Sequence, residues 1–246
     1  MKKLNLKAGI IITAMLTAMA LLCSCKVSNK TIIRHQKIEE NVQNPTTIEE
    51  LKDAIEKYQT RVADIQLAQS QIGIWYKILG TRYLDQKMYG EALKCFEEAL
   101  KYYPNNQNLY YYVGVCAGYM SHAAMDFGGS GTTEVRYNYL KLAEDAYTRA
   151  ITIEERYVRA LYGLGVLYVF ELDEPEKAIP PLEKALSIDT KNLDAMFVLA
   201  RAYYSTYEFQ KSIEMYDKII ATTKSAQTKA TAEENRKTVL DATLTN

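Results

Sequence analysis

The chain has 246 residues, with 30 basic and 30 acidic side chains and a formal net charge of zero. With no basic excess, a nucleic-acid interface has no electrostatic support. The length is ample for one helical domain with segments left over at either end.

The first element is an address. Lys2, Lys3 and Lys7 precede an apolar run from Ala8 to Cys23. A charged start followed by a run short of the ~20 residues of a bilayer span reads as a signal peptide, residues 1–24. The run closes on Leu22-Cys23-Ser24-Cys25. That ending resembles a bacterial lipobox, with Leu22 at minus three, Ser24 at minus one and the modified cysteine at Cys25. The resemblance implies cleavage before Cys25, acylation of Cys25, and a chain anchored by lipid to a bacterial membrane, facing the periplasm. Several acyl chains, at about 0.8 kcal/mol per buried methylene, hold such an anchor stably. A plain secretory peptide, leaving a soluble periplasmic protein, and an uncleaved signal anchor are the competing readings. Cleavage removes Lys2, Lys3 and Lys7 and no acid, leaving 27 basic against 30 acidic residues, a balance of −3. Residues 25–45 are polar with little periodicity and read as a flexible tether.

A helix is expected over residues 46–72. Thr46, Thr47, Glu49 and Glu50 after Pro45 form a helix start with a capping box. Ile48, Leu51, Ile55, Tyr58, Val62 and Ile65 then alternate spacings of three and four, a heptad seam. Packed on the helices after it, this helix is an N-terminal cap and the chain a monomer. Paired with a second copy, it is a coiled-coil dimer seam. The cap is the expectation, because terminal repeats need covers and the seam is short for a free-standing coiled coil.

From Gly73 a pattern returns at a period of about thirty-four residues. The first copy carries Tyr76, Leu79, Gly80, Tyr83, Ala92, Phe96, Ala99 and Pro104. Gly80 and Ala92 are small where two helices cross, Tyr83 and Phe96 fill the space beside the crossing, and Pro104 ends the second helix. This copy resembles a tetratricopeptide repeat at all eight family positions. The resemblance implies an all-α solenoid of helix-turn-helix units, about four in number, spanning 73–224. The copies are 73–106, 107–157, 158–192 and 193–224. The second has Tyr110, Val113, Gly114, then Ala143, Tyr147, Ala150. The third has Leu161, Leu164, Gly165, Tyr168, then Ala178, Leu182, Ala185, with one extra residue between its helices. The fourth has Met196, Leu199, Ala200, Tyr203, then Ser212 and Tyr216. Glu155 and Thr190 stand where copies two and three would carry the closing proline. Residues 225–246, polar around Val239, Leu240 and Leu244, read as a C-terminal solvating helix.

Copy two holds an insert of about seventeen residues. Met120, Ala123, Ala124 and Phe127 continue the apolar face of its first helix. Gly128-Gly129-Ser130-Gly131 is a turn, and Val135, Tyr139 and Leu142 enter the second helix in phase. The insert is expected to lengthen both helices by about two turns, or ~10 Å, into a hairpin. No Gly-Lys-Ser/Thr ending comes after the glycines, so they are not a phosphate loop.

Catalytic residues, cofactors and metal ligands are all expected to be absent. His35 and His122 have no partner at metal spacing, and no nucleophile stands in a recognisable setting. His122 reads as a helix-surface residue. Glu171, Asp173, Glu174 and Glu176 form an acidic run, with Asp173 before Pro175 read as a helix N-cap and a cation site as the lesser alternative. Cys95 and Cys116 read as small buried residues, with a disulfide as the alternative.

In the family, the first helix of each repeat lines a concave groove. The resemblance implies groove residues Lys77 and Thr81 from copy one, and Tyr111 and Tyr119 from copy two. From copy three it implies Arg159, Tyr162, Val166 and Phe170, and from copy four Phe197, Arg201 and Tyr204. About half of the aromatics are expected to face the groove and the rest to pack. Thr81 and Tyr112 stand where the family's chaperone-type carboxylate clamp carries asparagine, so the resemblance does not extend to that clamp. Aromatic concavities suit extended peptides or an amphipathic helix. The expected function is a periplasmic scaffold binding another envelope protein or peptide. The alternatives are an accessory lipoprotein of a transporter and a structural homodimer through residues 48–65.

Overall fold

The structure, a computed structural model, describes residues 45–126 and 132–245. The expected signal peptide and tether, with Cys25 and His35, and Phe127 and the Gly128–Gly131 run lie outside the described residues. Among the described residues nine α-helices succeed one another, and there is no strand. They are α1 (Ile48–Asp85), α2 (Tyr89–Tyr102), α3 (Gln107–Asp126), α4 (Thr132–Ile153), α5 (Val158–Phe170), α6 (Pro175–Ile188), α7 (Leu193–Ser205), α8 (Phe209–Thr222) and α9 (Ala226–Thr245). None of these helices is long and apolar enough to cross a membrane. The chain divides into one unit ending at Asp64 and another beginning at Ile65.

In the first unit the described residues are the start of α1. Thr47 Oγ1 accepts from the Glu50 N–H at 3.2 Å, and Glu50 Oε2 accepts from the N–H groups of Thr46 and Thr47 at 2.8 and 3.0 Å. This reciprocal pairing satisfies amide groups that the helix itself leaves free. The Thr46 and Thr47 amides hold the Glu50 carboxyl below the usual carboxylate range. The helix then runs without a break for 38 residues, through Ile65 and Gly73 to Asp85. The expected N-terminal helix and the first helix of copy one are therefore one continuous helix. A lone glycine costs a helix interior only about 1 kcal/mol, and no proline accompanies Gly73. Ile48 is 72% exposed, Ile55 55% and Val62 51%, and Leu51, Tyr58 and Ile65 are exposed as well.

In the second unit, four helix pairs obey one packing rule: a small residue on the first helix receives a large one from the second. A Cβ placed on Gly80 would lie 2.9 Å from the Phe96 ring, on Gly114 2.7 Å from Tyr147, and on Gly165 2.4 Å from Leu182. Fully buried Ala200 holds the same place in the fourth pair. From the other side Ala92, Ala143, Ala178 and Ser212 are fully buried. Ser212 stands in for alanine without leaving a polar atom unpaired, since its hydroxyl donates to the Ala200 carbonyl at 2.8 Å. Cys95 and Cys116 are buried and unbonded, and burial pushes the Cys116 thiol up to about 12.

The turns repeat as well. Between pairs, the N–H groups of Asn106, Tyr157 and Asn192 donate to the carbonyls three residues earlier, at 3.2, 3.0 and 3.3 Å. Pro104, Glu155 and Thr190 occupy the same second position of this turn, so the proline is a convenience rather than a requirement. Within pairs, Lys87, Asp173 and Tyr207 adopt left-handed backbone angles, with φ of 60°, 54° and 61°. Asp173 is thus not the N-cap expected of it. It turns the chain, and Glu174 is the N-cap, without a side-chain capping bond. The carbonyl of Tyr83 accepts from Met88 and that of Tyr203 from Glu208, whereas that of Tyr168 accepts from Glu174, one residue further on. The extra residue of copy three is absorbed there. Helices α3 and α4 are 20 and 22 residues long, against 13 and 14 for α5 and α6. Val135, expected to enter the packed face, is exposed. At the end of the chain α9 buries Ala232 and Val239 and leaves Leu244 exposed.

Candidate functional site

Two grooves open along the first helices of the pairs. The first, of about 340 Å³, lies between α3 and α5 and is backed by α4. Tyr111, Val115, Gly118, Tyr119 and His122 line it from α3 at helical spacing, so one face of that helix forms a wall. Arg159, Tyr162, Gly163 and Val166 of α5 form the other. The Tyr147 ring closes the floor, held between Gly114 and Gly163, whose Cβ positions would lie 2.7 and 2.8 Å from it. Burial in that slot pushes the Tyr147 hydroxyl above the usual tyrosine range. Gly118 faces open space and leaves the groove unobstructed.

Charge is placed at the ends of this groove. At one end the Arg159 guanidinium lies 4.2 Å from the centre of the Tyr111 ring and 5.6 Å from that of Tyr112. Tyr111 also meets Tyr157 edge-on at 5.8 Å, and the Tyr157 hydroxyl donates to Asn108 Oδ1 at 2.8 Å. The cation is thereby held on an aromatic base. At the other end Glu171 Oε1 is 3.0 Å from His122 Nε2, and its Oε2 accepts from an Arg136 amino group at 3.1 Å. His122 is therefore a groove-lining partner of Glu171 as well as a helix-surface residue.

The second groove, of about 290 Å³, lies between α7 and α9. Phe197, Arg201 and Tyr204 line it from α7, Phe170 from the end of α5, and Tyr216, Asn235 and Val239 from the remaining sides. Arg201 lies 5.5 Å from the Tyr204 ring centre, and Phe197 meets Tyr216 edge-on at 6.1 Å. Among the described residues no carboxylate is within ion-pair distance of Arg159 or Arg201.

Residues 74–106 and 158–192 match models of the tetratricopeptide repeat. Over these two segments the chain is similar to tetratricopeptide repeats. Such repeats mediate protein–protein interaction and peptide binding. A TPR repeat-containing protein of Methanocaldococcus jannaschii is 29% identical over 143 residues, 58% of this chain. The chain spans 22% of that relative's length. Among solved structures, MamA superposes with a TM-score of 0.53 at 23% identity, covering 71% of this chain and 87% of its own. YrrB, described as a TPR protein with an unusual peptide-binding site, superposes with a TM-score of 0.52 at 22% identity, covering 81% and 97%. These likenesses are likenesses of fold.

The tetratricopeptide frame brings nine of the eleven expected residues to the two grooves: Tyr111, Tyr119, Arg159, Tyr162 and Val166 to the first, and Phe170, Phe197, Arg201 and Tyr204 to the second. Lys77 and Thr81 line neither. Lys77 is exposed, and the Thr81 hydroxyl donates back to the Lys77 carbonyl at 2.9 Å, within its own helix. Tyr119 and Phe170 are exposed, and Tyr111, Tyr162, Phe197 and Tyr204 are half-buried. Tyr119 has one face covered by Tyr89, stacked at 4.2 Å. Glu171, Tyr147 and His122 were not among the expected groove residues. The spacing 111, 115, 118, 122 on one helix face was the signal for His122.

Proposed function

We propose that this chain is a lipid-anchored scaffold of the bacterial periplasm whose concave face holds a segment of another envelope protein, without chemistry of its own. The observation that carries the reading is the pair of aromatic grooves in which Arg159 and Arg201 lie over tyrosine rings, with no carboxylate among the described residues paired to either. An extended or helical segment bringing apolar anchors and a carboxylate complements both grooves. The peptide site for which YrrB is described accords with such an occupant. The anchor rests on Lys2, Lys3, Lys7, the apolar run and Leu22-Cys23-Ser24-Cys25.

The test begins with cross-linking in the native cells, affinity capture of the chain, and identification of the captured protein. Its affinity is then measured with purified partner. Tyr162→Ala with Tyr204→Ala should weaken binding by at least ~2 kcal/mol, about thirtyfold, with helical content and cooperative unfolding retained. Arg159→Ala, at an exposed side chain, separates binding from folding. Full affinity in both variants sinks the groove reading. Cys25→Ala should abolish lipid labelling and release the chain from membranes; persistent labelling sinks the anchor.

A further inference from the structure

Glycine weakens a helix interior, since it loses more backbone freedom on folding than any other residue, and this molecule keeps it for one kind of place. Gly73, Gly80, Gly114, Gly163 and Gly165 each stand where a side chain of another helix presses in, so closely that a Cβ would lie 2.9 Å or less from it. Gly90 meets Met120 at 3.7 Å. Gly118 is the exception: among the described residues, a Cβ there would meet nothing within 4 Å. Yet it lies well inside α3 and is half-buried. It stands one turn beyond Gly114, whose hollow the Tyr147 ring fills, and it opens on the first groove. Val115, Tyr119, Tyr162 and Val166 line that groove with it, so the hollow over Gly118 has apolar walls like its filled counterparts.

Charge and spacing then say what fits. The Arg159 guanidinium lies 4.2 Å from the centre of the Tyr111 ring, and no carboxylate among the described residues is within ion-pair distance of it. Tyr111 stands two turns before Gly118 on α3, about 10 Å away at 1.5 Å per residue. The groove therefore presents a cation and an apolar hollow about 10 Å apart. In an extended chain, residues at that distance are about three positions apart and point to opposite faces. In a helix they are about seven positions apart and point to the same face. The filled glycine hollows of this molecule also take their side chains from helices.

Given that the concave face holds a segment of another protein, we propose that the segment in the first groove is an amphipathic helix. It seats one large apolar side chain on Gly118 and sets a carboxylate, one heptad away, against Arg159.

The probe is a displayed library of stapled helical peptides of about fifteen residues, randomised along one face and selected against the full chain in detergent. Enriched peptides should carry a large apolar residue and an acidic one a heptad apart. A synthetic copy of the strongest, read by fluorescence anisotropy, should bind Gly118→Leu at least about thirtyfold more weakly than the parent, and Gly118→Ala with part of that loss. Nothing among the described residues stands within 4 Å of that Cβ, so both variants should unfold at a denaturant midpoint no lower than the parent's. Arg159→Glu should reverse the charge preference, so that the peptide with lysine in place of its acid binds this variant better than the original peptide does. Full affinity in Gly118→Leu overturns the seat, and if Tyr162→Ala still weakens the same peptide, the groove reading stands without it. Enriched peptides with no acid at that spacing, or no reversal by Arg159→Glu, overturn the carboxylate. A library that yields no binder of the parent chain overturns the helical occupant, and the groove reading falls with it only if the partner captured from cells also ignores Tyr162→Ala with Tyr204→Ala.

Discussion

Residues 48–62 of α1 and the helix α5 both carry several branched apolar side chains, yet one leaves its stripe exposed and the other is packed on several sides. The difference lies in the small residues. Helix α5 carries Ala160, Gly163 and Gly165, and Tyr147 and Leu182 from neighbouring helices press into the space these leave. The stripe offers branched side chains at every seam position but Tyr58, and no glycine. In this molecule, apolar content makes a helix able to bury a face, and glycine or alanine at the crossing decides where it does so.

The comparison is broken most severely by filling a crossing. Gly165→Leu places bulk where even a Cβ lies 2.4 Å from Leu182 Cγ, so it should cost about 3 kcal/mol. A denaturation midpoint unchanged from the parent would refute the crossing rule. Next come the polar ties between pairs. The Tyr203 hydroxyl donates to Glu183 at 2.5 Å, and Tyr168 donates to Glu144 at 2.7 Å. Tyr203→Phe keeps the ring and removes the donor, and should lower stability by about 1 kcal/mol in urea unfolding. If the midpoint does not move, the bond contributes nothing net.

A smaller effect has the opposite sign. Lys87 is held left-handed without being glycine, so Lys87→Gly should relieve strain and leave a net gain of about 0.5 kcal/mol after the entropy of glycine. A lower melting temperature would contradict this. The smallest effect is local to the first unit. The folded Glu50 carboxyl titrates below its unfolded value of 4.5, so its contribution is present above that value and is lost as pH falls through the lower folded one. Amide exchange at Thr46 and Thr47 should quicken over that acid window and no other; exchange that ignores pH there, after correction for intrinsic rates, refutes the capping role.

Much of the repeat array is legible in the sequence because its determinants are local and discrete. Gly80, Ala92 and Phe96 name both sides of a crossing three residue types at a time, and the same letters recur down the chain. The groove is half legible: helical spacing puts Arg159, Tyr162 and Val166 on one face, but which rings remain open depends on neighbours such as Tyr89 that are distant in sequence. The expected N-terminal helix runs on into copy one because a repeat boundary is not a helix boundary. Gly73 is there to admit Tyr102 and Tyr103, which would lie 2.7 Å from a Cβ, and it ends nothing. Asp173 misleads because aspartate before proline signals a cap, while the turn needs a left-handed residue one position earlier than the cap.

The two phenol-to-carboxylate bonds bear on how the array comes apart. Tyr168 and Tyr203 each reach from one pair to the second helix of the pair before it, tying copy three to copy two and copy four to copy three. The corresponding position of copy two is Ala117, which has no hydroxyl to offer. At that junction an apolar cluster shared by the two copies remains, in which Phe96 of copy one packs with Leu109, Val113 and Cys116 of copy two. In a nearest-neighbour chain the weakest coupling sets where cooperativity breaks. With apolar packing and no such bond, the junction of copies one and two should be the first of the three to part.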